Sequence, residues 1–400
     1  MSTEPKRPRR LAIVLSHPTQ YYSPWFRELA RLPGLECHVF YLWNFGVTPQ
    51  VDKGFGSTVK WDVDLLSGYP STFLENLSSD PGTHHFMGLR NPGISRALQS
   101  WDPDAILLFG YKSYSHLKII LWARLHGIPL VFRGDSHFLG RLRLARWRRT
   151  LLRLLYGQFA AITYVGKSNK DYFVELGVHT ERLFFAPHSV NSRLFDPLDP
   201  LHSKAAARAR EQLGICASTR VILFAGKLVP SKQPLELLRA FLALGSADAA
   251  LIFVGDGSER NRIEACAAEA PGARVFILPF SNQSEMPARY LMADLFILPS
   301  KGNYETWGLA VNEAMHMGIP CIVSNLVGCQ MDLVVPNVTG WTFDSADPGA
   351  LGDALGTALS ELDKPERRLE ILSAVRAKIS EYTYTQTTNG LLSALAAVWY

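Results

Sequence analysis

The sequence predicts an α/β protein with two doubly wound parallel sheets, one in each half of the chain, facing each other across a cleft. Short apolar runs rich in β-branched residues alternate with amphipathic helical stretches in both halves. A chain of 400 residues is long enough for about two to three domains. With 47% hydrophobic and 19% charged residues, the composition is that of a globular protein and excludes a disordered or fibrous one.

Most expected strands are followed closely by Gly, Pro or Ser and then by helix-like sequence. In the first half they are Leu11–Leu15, Cys37–Leu42, Ala105–Phe109, Leu130–Arg133 and Ala161–Val165. In the second half they are Val221–Ala225, Ala250–Val254, Val275–Leu278, Leu295–Pro299 and Cys321–Ser324. Ligands of such sheets bind outside the carboxyl ends of the strands, so we expect the site in the loops that follow them.

Domain boundaries are expected where prolines interrupt the pattern. Phe195–Pro200 contains two prolines, which force the preceding residues to be extended and break any helix or strand. We therefore expect an N-terminal domain over 1–195 and a C-terminal domain over 201–375. The remaining segment, 376–400, is helical in pattern and can pack on either domain, including back on the first.

Composition also narrows the functional class. No apolar run approaches the ~18 to 20 residues of a membrane span, and His17 and Pro18 cut the first apolar run too short for a signal peptide. Five cysteines without a C-x-x-C pair indicate buried thiols in a reducing compartment, so we expect a cytoplasmic protein. A net charge of +5 is too mild to indicate a nucleic acid partner.

The strongest motif is a pair of glutamates, Glu305 and Glu313, separated by seven residues. A helix is expected over Leu309–Met317, so Gly308 and Leu309 expose amide N–H groups at its N-terminus, which is an anion site. The two carboxylates would bracket that site and accept hydrogen bonds from hydroxyls. This arrangement suits a sugar nucleotide, whereas a solvated Glu305 and an ordinary helical Glu313 are the alternative.

This segment resembles the E-x7-E motif of retaining glycosyltransferases of family four, the group 1 glycosyl transferases, which have the GT-B fold. Three further segments agree with that family in order and spacing: Phe224–Lys232, Phe253–Arg260 and Ala293–Ser300. The resemblance is sharp over 220–345 and looser in the N-terminal half. It implies two Rossmann-like domains and a nucleoside diphosphate sugar held mainly by the C-terminal domain.

Lys227 and Lys232 follow a strand and could converge on a diphosphate beside Gly226, where a positive pair would stabilise the leaving group. Solvated loop lysines are the alternative. The Gly255-x-Gly257 turn is weak evidence for a dinucleotide site, because the third position of that fingerprint is Arg260. We expect a tight turn there that is either purely structural or beside the nucleotide.

In the N-terminal half, relatives of this family often have a His-Asp or His-Glu pair after the strand at 130–133. This chain instead has Arg133, Asp135 and His137, any of which could face the transferred sugar or only cap the next segment. After the first strand, His17 is the better acceptor-side candidate, while Tyr21 either stacks on an acceptor or packs under the next helix.

The segment Arg141–Arg153 contains six arginines and no acidic residue. Leu144, Trp147, Leu151, Leu154 and Leu155 share one side of a helix there, largely opposite to Arg146, Arg149 and Arg153. Such a helix fits an anionic membrane surface, and equally a helix that packs on the core with a solvated basic side.

We therefore expect a glycosyltransferase that passes a sugar to an acceptor sugar, a lipid-linked glycan or a small-molecule hydroxyl, with retention and without a metal or other cofactor. Asp62 and Asp64 form a D-x-D pair without strand context and are not expected to bind metal. The family implies a front-face displacement assisted by the donor phosphate. A sugar-nucleotide epimerase of the same fold and a non-catalytic partner in a glycan assembly complex are the alternatives.

Overall fold

The computed structural model describes residues 7–47, 50–52, 57–140, 144–302 and 305–399. It contains a seven-stranded and a six-stranded sheet, each parallel throughout, with helices packed on their faces. This architecture confirms the predicted pair of doubly wound α/β sheets.

The seven-stranded sheet has the order β5-β2-β1-β6-β7-β8-β9, and β3 and β4 form a separate antiparallel pair. The strands are β1 (Arg9–Leu15), β2 (Leu35–Tyr41), β3 (Gln50–Asp52), β4 (Ser57–Val59), β5 (Ser71–Phe73), β6 (Ala105–Phe109), β7 (Leu130–Arg133), β8 (Ala161–Tyr164) and β9 (Leu183–Phe185). The helices of this half are α1 (Ser23–Leu29), α2 (Ile94–Trp101), α3 (Tyr114–His126), α4 (Arg146–Tyr156) and α5 (Lys167–Glu175).

The six-stranded sheet has the order β12-β11-β10-β13-β14-β15. Its strands are β10 (Arg220–Ala225), β11 (Ala249–Val254), β12 (Arg274–Leu278), β13 (Leu295–Leu298), β14 (Cys321–Ser324) and β15 (Gly340–Phe343). The helices are α6 (Pro200–Gln212), α7 (Pro234–Leu244), α8 (Arg260–Ala268), α9 (Met286–Leu291), α10 (Leu309–His316), α11 (Gln330–Leu333), α12 (Ala350–Leu362), α13 (Pro365–Ile379) and α14 (Tyr384–Trp399).

The central strands are apolar along their whole length because helices cover both faces of each sheet. Successive residues 11–14 of β1 and 249–253 of β11 are buried on both faces. This double burial explains why the strands read as continuous apolar runs and could be located from the sequence.

The chain enters the second half through Phe195, which is buried in the C-terminal core. The sequence predicts that the segment 195–200 breaks helices and strands. The structure shows that it also starts a helix, because Pro200 is the first residue of α6. Proline is tolerated there because the first helical N–H groups have no intrahelical partner. The Asp199 side chain accepts a hydrogen bond of 2.8 Å from the Leu201 N–H and caps the helix.

The described part of the segment 376–400 comprises the end of α13 and the whole of α14. Helix α13 buries Ile371 and Val375 in the C-terminal core, whereas α14 packs against α1, β8 and β9 of the N-terminal half. A side chain at Gly390 would place its Cβ 1.9 Å from the Phe185 carbonyl oxygen, so only glycine allows this close approach. Helix α14 therefore ties the end of the chain to the first sheet.

In the part of the chain that the structure describes, no helix combines the length and the apolar character that a membrane span requires.

Candidate functional site

A cavity of about 360 Å³ lies between the two sheets at the carboxyl ends of their strands. We call it the interdomain cavity. Gly226 follows β10, Gly255 follows β11, and Asp135 follows β7, so three strand ends contribute directly to its wall. This is the position where open α/β sheets bind ligands.

The two glycine-containing turns of the C-terminal half touch each other at the cavity wall. A Cβ at Gly255 would lie 2.0 Å from the Gly226 carbonyl oxygen, and one at Gly257 would lie 2.4 Å from the Leu228 carbonyl oxygen. Neither position leaves room for a side chain. The Gly255-x-Gly257 turn is therefore required for close packing of the two loops, and Gly255 also lines the cavity.

Lys227 and Lys232 both line the interdomain cavity. The Lys232 ammonium is ion-paired with Glu305, which also accepts a 3.0 Å hydrogen bond from the Ser300 hydroxyl. Burial, followed by repulsion from Lys227, lowers the pKa of Lys232 to about 8. The Glu305 carboxylate acts in the opposite direction, because it favours the charged ammonium. The structure thus brings the two lysines together and adds a partner that the sequence did not reveal.

Helix α10 points its N-terminus at the same cavity. Gly308 adopts φ +99°, and a Cβ there would lie 2.9 Å from Val327 Cγ1. Gly308, Leu309 and Ala310 line the cavity, and among the described residues no side chain caps this helix end. The helix therefore presents unshared amide N–H groups beside the lysines, as the sequence predicts. Tyr304, which precedes Glu305, lies outside the described residues.

Glu313 lies in the wall of the cavity, but its carboxylate is already occupied. It accepts hydrogen bonds from the Tyr290 hydroxyl at 2.7 Å, the Tyr21 hydroxyl at 3.1 Å and Gln283 Nε2 at 3.2 Å. Burial raises the pKa of Glu313, and these hydrogen bonds oppose the rise. Glu313 therefore connects three side chains of the cavity wall and is also a candidate ligand for a ribose.

Tyr21, for which the sequence leaves open stacking on an acceptor or packing under the next helix, lines the interdomain cavity. Its hydroxyl bonds to Glu313 across the two halves, and burial raises its pKa well above the usual value. The sequence could not indicate this contact, because the two residues are 292 positions apart. Tyr21 joins the halves beside the candidate nucleotide site.

Asp135 is held by one residue from each half. Its Oδ2 accepts a 2.8 Å hydrogen bond from the Thr306 hydroxyl and lies 3.5 Å from His188 Nε2. Burial alone would raise the pKa of Asp135, but His188 and Thr306 outweigh it and lower this pKa to about 2. Burial lowers the pKa of His188. At neutral pH the pair is therefore a carboxylate that faces a neutral imidazole.

The His137 and Arg133 side chains form hydrogen bonds with backbone groups. The His137 Nδ1 accepts from the Leu139 N–H at 3.1 Å, so Nε2 carries the proton and donates to the Glu305 carbonyl at 3.2 Å. Arg133, fully buried, donates to the carbonyls of Ala186 at 2.9 Å and Pro187 at 3.3 Å. Both residues thus position the loops that carry other site residues.

A second cavity of about 370 Å³, the N-terminal cavity, is lined entirely by residues between positions 16 and 136. Arg133, Lys112 and His116 are among them, and Asp135 lines both cavities. His17, the acceptor-side candidate, is not among the described residues that line the two cavities. It contacts Ser16, Trp43 and Phe45 instead, and burial lowers its pKa to about 4.

The sequence analysis did not identify His188, although His188 follows a strand of the sheet just as Asp135 does. It follows β9 by three positions, but β9 spans only three residues and is too short for its pattern to be detected. Asp62 and Asp64 form hydrogen bonds with protein groups: Asp62 accepts from the Ser284 N–H at 3.3 Å, and Asp64 from the Leu66 N–H at 3.0 Å.

Comparison with known proteins agrees with this geometry. The family model described as "Glycosyl transferases group 1" matches residues 206–371, which include both lysines and both glutamates. Over these residues the chain is similar to the group 1 glycosyl transferases.

The chain is 28% identical over 225 residues to a D-inositol 3-phosphate glycosyltransferase of Xylanimonas cellulosilytica, covering 55% of this chain and 52% of that protein. It thus spans about half the length of the curated relatives it matches. Among solved structures, a group of GT-B proteins shares the fold of the whole chain. The glycosyltransferase of Rickettsia africae has a TM-score of 0.75 at 15% identity, covering 98% of this chain and 99% of that one. HepE of Anabaena, in complex with UDP, has a TM-score of 0.72 at 18% identity, covering 97% and 100%. The fold is therefore GT-B.

Proposed function

We propose that the protein is a glycosyltransferase that moves a sugar from a nucleoside diphosphate sugar to an acceptor hydroxyl in glycan, glycolipid or natural-product glycoside assembly. The observation that carries the proposal is the meeting of two cavities at Asp135. One cavity contains the cationic and amide groups that suit a diphosphate. The other, in the N-terminal half, offers space for a separate acceptor.

The diphosphate would be held by Lys227, Lys232 and the N-terminus of α10, all at the interdomain cavity. Positive groups that are already in place stabilise the charge that develops on a leaving diphosphate. HepE, which shares the fold, binds UDP. We assign Glu305 to the sugar and Glu313 to the ribose.

Metal independence and retention are part of the proposal. The two lysines and the helix N-terminus would supply the positive charge that a divalent cation supplies elsewhere. Three carboxylates line the interdomain cavity in the described part of the chain, and each is engaged: Asp135 by Thr306, Glu305 by Lys232, and Glu313 by Tyr290. A free carboxylate nucleophile is thus not at hand, which favours a front-face displacement assisted by the donor phosphate over a covalent intermediate.

We assign Asp135 to the transferred sugar, and its position at the boundary of both cavities supports this assignment. Its low pKa keeps it ionised at neutral pH, so it would accept a hydrogen bond from a sugar hydroxyl. His137 and Arg133 would contribute indirectly by holding the surrounding loops. This arrangement favours transfer over epimerisation, which needs no acceptor cavity, and over a non-catalytic role, which needs no paired lysines.

We also propose that the protein works in the cytoplasm and makes peripheral contact with an anionic membrane through the segment 141–153. All five cysteines are unpaired, which is typical of a reducing compartment. Arg141 and Arg143 lie outside the described residues, whereas Trp147, exposed by 70%, lies on α4.

The proposal is tested by donor hydrolysis across a panel of sugar nucleotides without acceptor, because many transferases slowly pass the sugar to water. We expect wild type to release nucleoside diphosphate from at least one donor. Lys227→Ala should reduce this release about 100-fold, whereas Lys204→Ala, an exposed lysine of α6, should not. Equal activity of the two variants would remove Lys227 from the site.

A further inference from the structure

Helix α3 carries a stripe of large apolar side chains that faces solvent. Leu117, Leu121 and Leu125 follow at intervals of four residues and therefore lie on one side of the helix. They are exposed by 46%, 61% and 74%. The other side of the helix, with Ile119 and Ala123, is buried in the N-terminal core. Leu117, Leu121 and Leu125 are therefore not needed to bury the N-terminal core.

Helix α4 likewise has one exposed apolar side and one side that is buried in the core. Trp147, Leu151 and Leu154 share one side and are exposed by 70%, 57% and 63%. Leu152 and Tyr156, on another side, pack in the core. The sequence left open whether the side with Trp147 packs inward, and the structure shows that it faces outward.

The two stripes lie on the same layer of the molecule. Strands β6, β7 and β8 are neighbours in the sheet, with α3 and α4 as successive crossovers, and right-handed crossovers in one direction put both helices on one face. Ile119 of α3 and Leu152 of α4 accordingly belong to one core cluster. Among the described residues, seven of the twenty exposed large apolar side chains belong to these helices: Tyr114, Leu117, Leu121, Leu125, Trp147, Leu151 and Leu154.

The charged side chains of α3 and α4 are all basic. The two helices contain no Asp or Glu and carry the basic residues Lys118, Arg124, Arg146, Arg148, Arg149 and Arg153. Arg149 pairs with Glu175 of α5. A second copy of the chain would bring the same basic surface onto itself, which costs like-charge repulsion. An anionic lipid surface offers both the opposite charge and an apolar layer.

We propose that α3 and α4 together form a docking face for an anionic bilayer. This inference deepens the membrane part of the proposed function by adding α3 and by fixing the orientation. Ser113 and His116, at the start of α3, line the N-terminal cavity. The neighbouring turn at 86–88 contacts α3 and exposes Phe86 by 46% and Met87 by 42%. The apolar surface therefore reaches the rim of the cavity, and a docked bilayer would present lipid-linked acceptors at that rim.

The test is sedimentation of the full chain with vesicles that contain phosphatidylglycerol and with purely zwitterionic vesicles, at low and high salt. We expect wild type to bind the anionic vesicles, and more weakly at high salt. Leu121→Ser with Leu125→Ser should lower the partition coefficient at least about tenfold. The matched control is Leu201→Ser with Leu369→Ser, two leucines of other helices that are each exposed by 70%, and it should stay within about twofold of wild type.

Unchanged binding of the α3 variant would overturn the two-helix face, as would equal loss in the control variant. Concentration-dependent self-association of wild type that the α3 variant abolishes, without vesicle binding, would assign the face to a second copy and also overturn the proposal. Donor hydrolysis in the absence of vesicles is measured for each variant and reports folding. Vesicle binding without hydrolysis of any donor would refute the proposed transfer and leave the docking face standing.

Discussion

Removing the charge of Lys232 is the sharpest perturbation of the site. Lys232 is ion-paired with Glu305 in the interdomain cavity, so Lys232→Ala removes one positive charge from the candidate diphosphate site. Loss of one preorganised charge of this kind typically costs ~3 kcal/mol of transition-state stabilisation, or ~100-fold in kcat/KM. The free energy of unfolding should change far less, because burying the Lys232 charge is itself costly, as its lowered pKa shows.

The pH dependence of kcat/KM identifies the lysine itself. Because its pKa is lowered to about 8, Lys232 is charged below that pH and loses its charge above it. The charged fraction falls about tenfold between pH 7 and pH 9, and kcat/KM reports the free enzyme, so kcat/KM should fall about tenfold over the same range. Lys232→Arg keeps its charge throughout and should lose this decline, whatever its absolute rate.

The assay is the initial rate of nucleoside diphosphate release at low donor concentration from pH 6.5 to 9.5, with melting temperature as the folding control. Two results would refute the reasoning. The first is Lys232→Ala within about threefold of wild type at neutral pH. The second is an unchanged basic decline in Lys232→Arg, which would assign the titration to another group.

Three further perturbations test the rest of the site. In calorimetry, Glu313→Gln should weaken nucleoside diphosphate binding more than Glu305→Gln, which should alter donor selectivity instead; the reverse order contradicts the assignment. Tyr21→Phe, which removes a hydrogen bond to a carboxylate, should lower the free energy of unfolding by about 1 to 2 kcal/mol and leave the acceptor KM within about twofold; a large rise in that KM would return Tyr21 to the acceptor side. His116 is buried, and burial lowers its pKa to about 4. The folded state therefore keeps His116 neutral, and its full contribution to the free energy of unfolding is present above pH 6.5 and lost as the pH falls toward 4. By pH 5.5 this loss is about 1.4 kcal/mol. His116→Asn should therefore flatten the acid side of the stability profile, and an equally steep profile would exclude this histidine as a cause.

The fold could be predicted from the sequence because its strands are buried on both faces. Ala105–Phe109 and Cys321–Ser324 were predicted with the bounds that the structure shows. Ser71–Phe73 and Leu183–Phe185 were missed, because three residues are too few to establish a period. Gly340–Phe343 was missed because its sequence G-W-T-F has no continuous apolar run.

The site could be predicted where its groups are close in sequence. Glu305, Gly308 and Glu313 share one loop and helix, so their spacing alone places them around a helix N-terminus. Tyr21 and His188 could not be assigned, because folding brings them to Glu313 and Asp135 from distant strand ends. Periodicity likewise found the apolar side of α4 but could not decide what covers it, which depends on how much of the helix the core already buries.

The most direct test of transfer at the interdomain cavity is a time course of proton NMR spectra of wild type with its best sugar nucleotide and no acceptor. The proposed function predicts release of nucleoside diphosphate together with free sugar whose first-formed anomer has the configuration of the donor. An intact sugar nucleotide inverted at a ring carbon would indicate an epimerase, and donors that all stay unchanged would indicate a non-catalytic protein. Either of these results would contradict the proposed function.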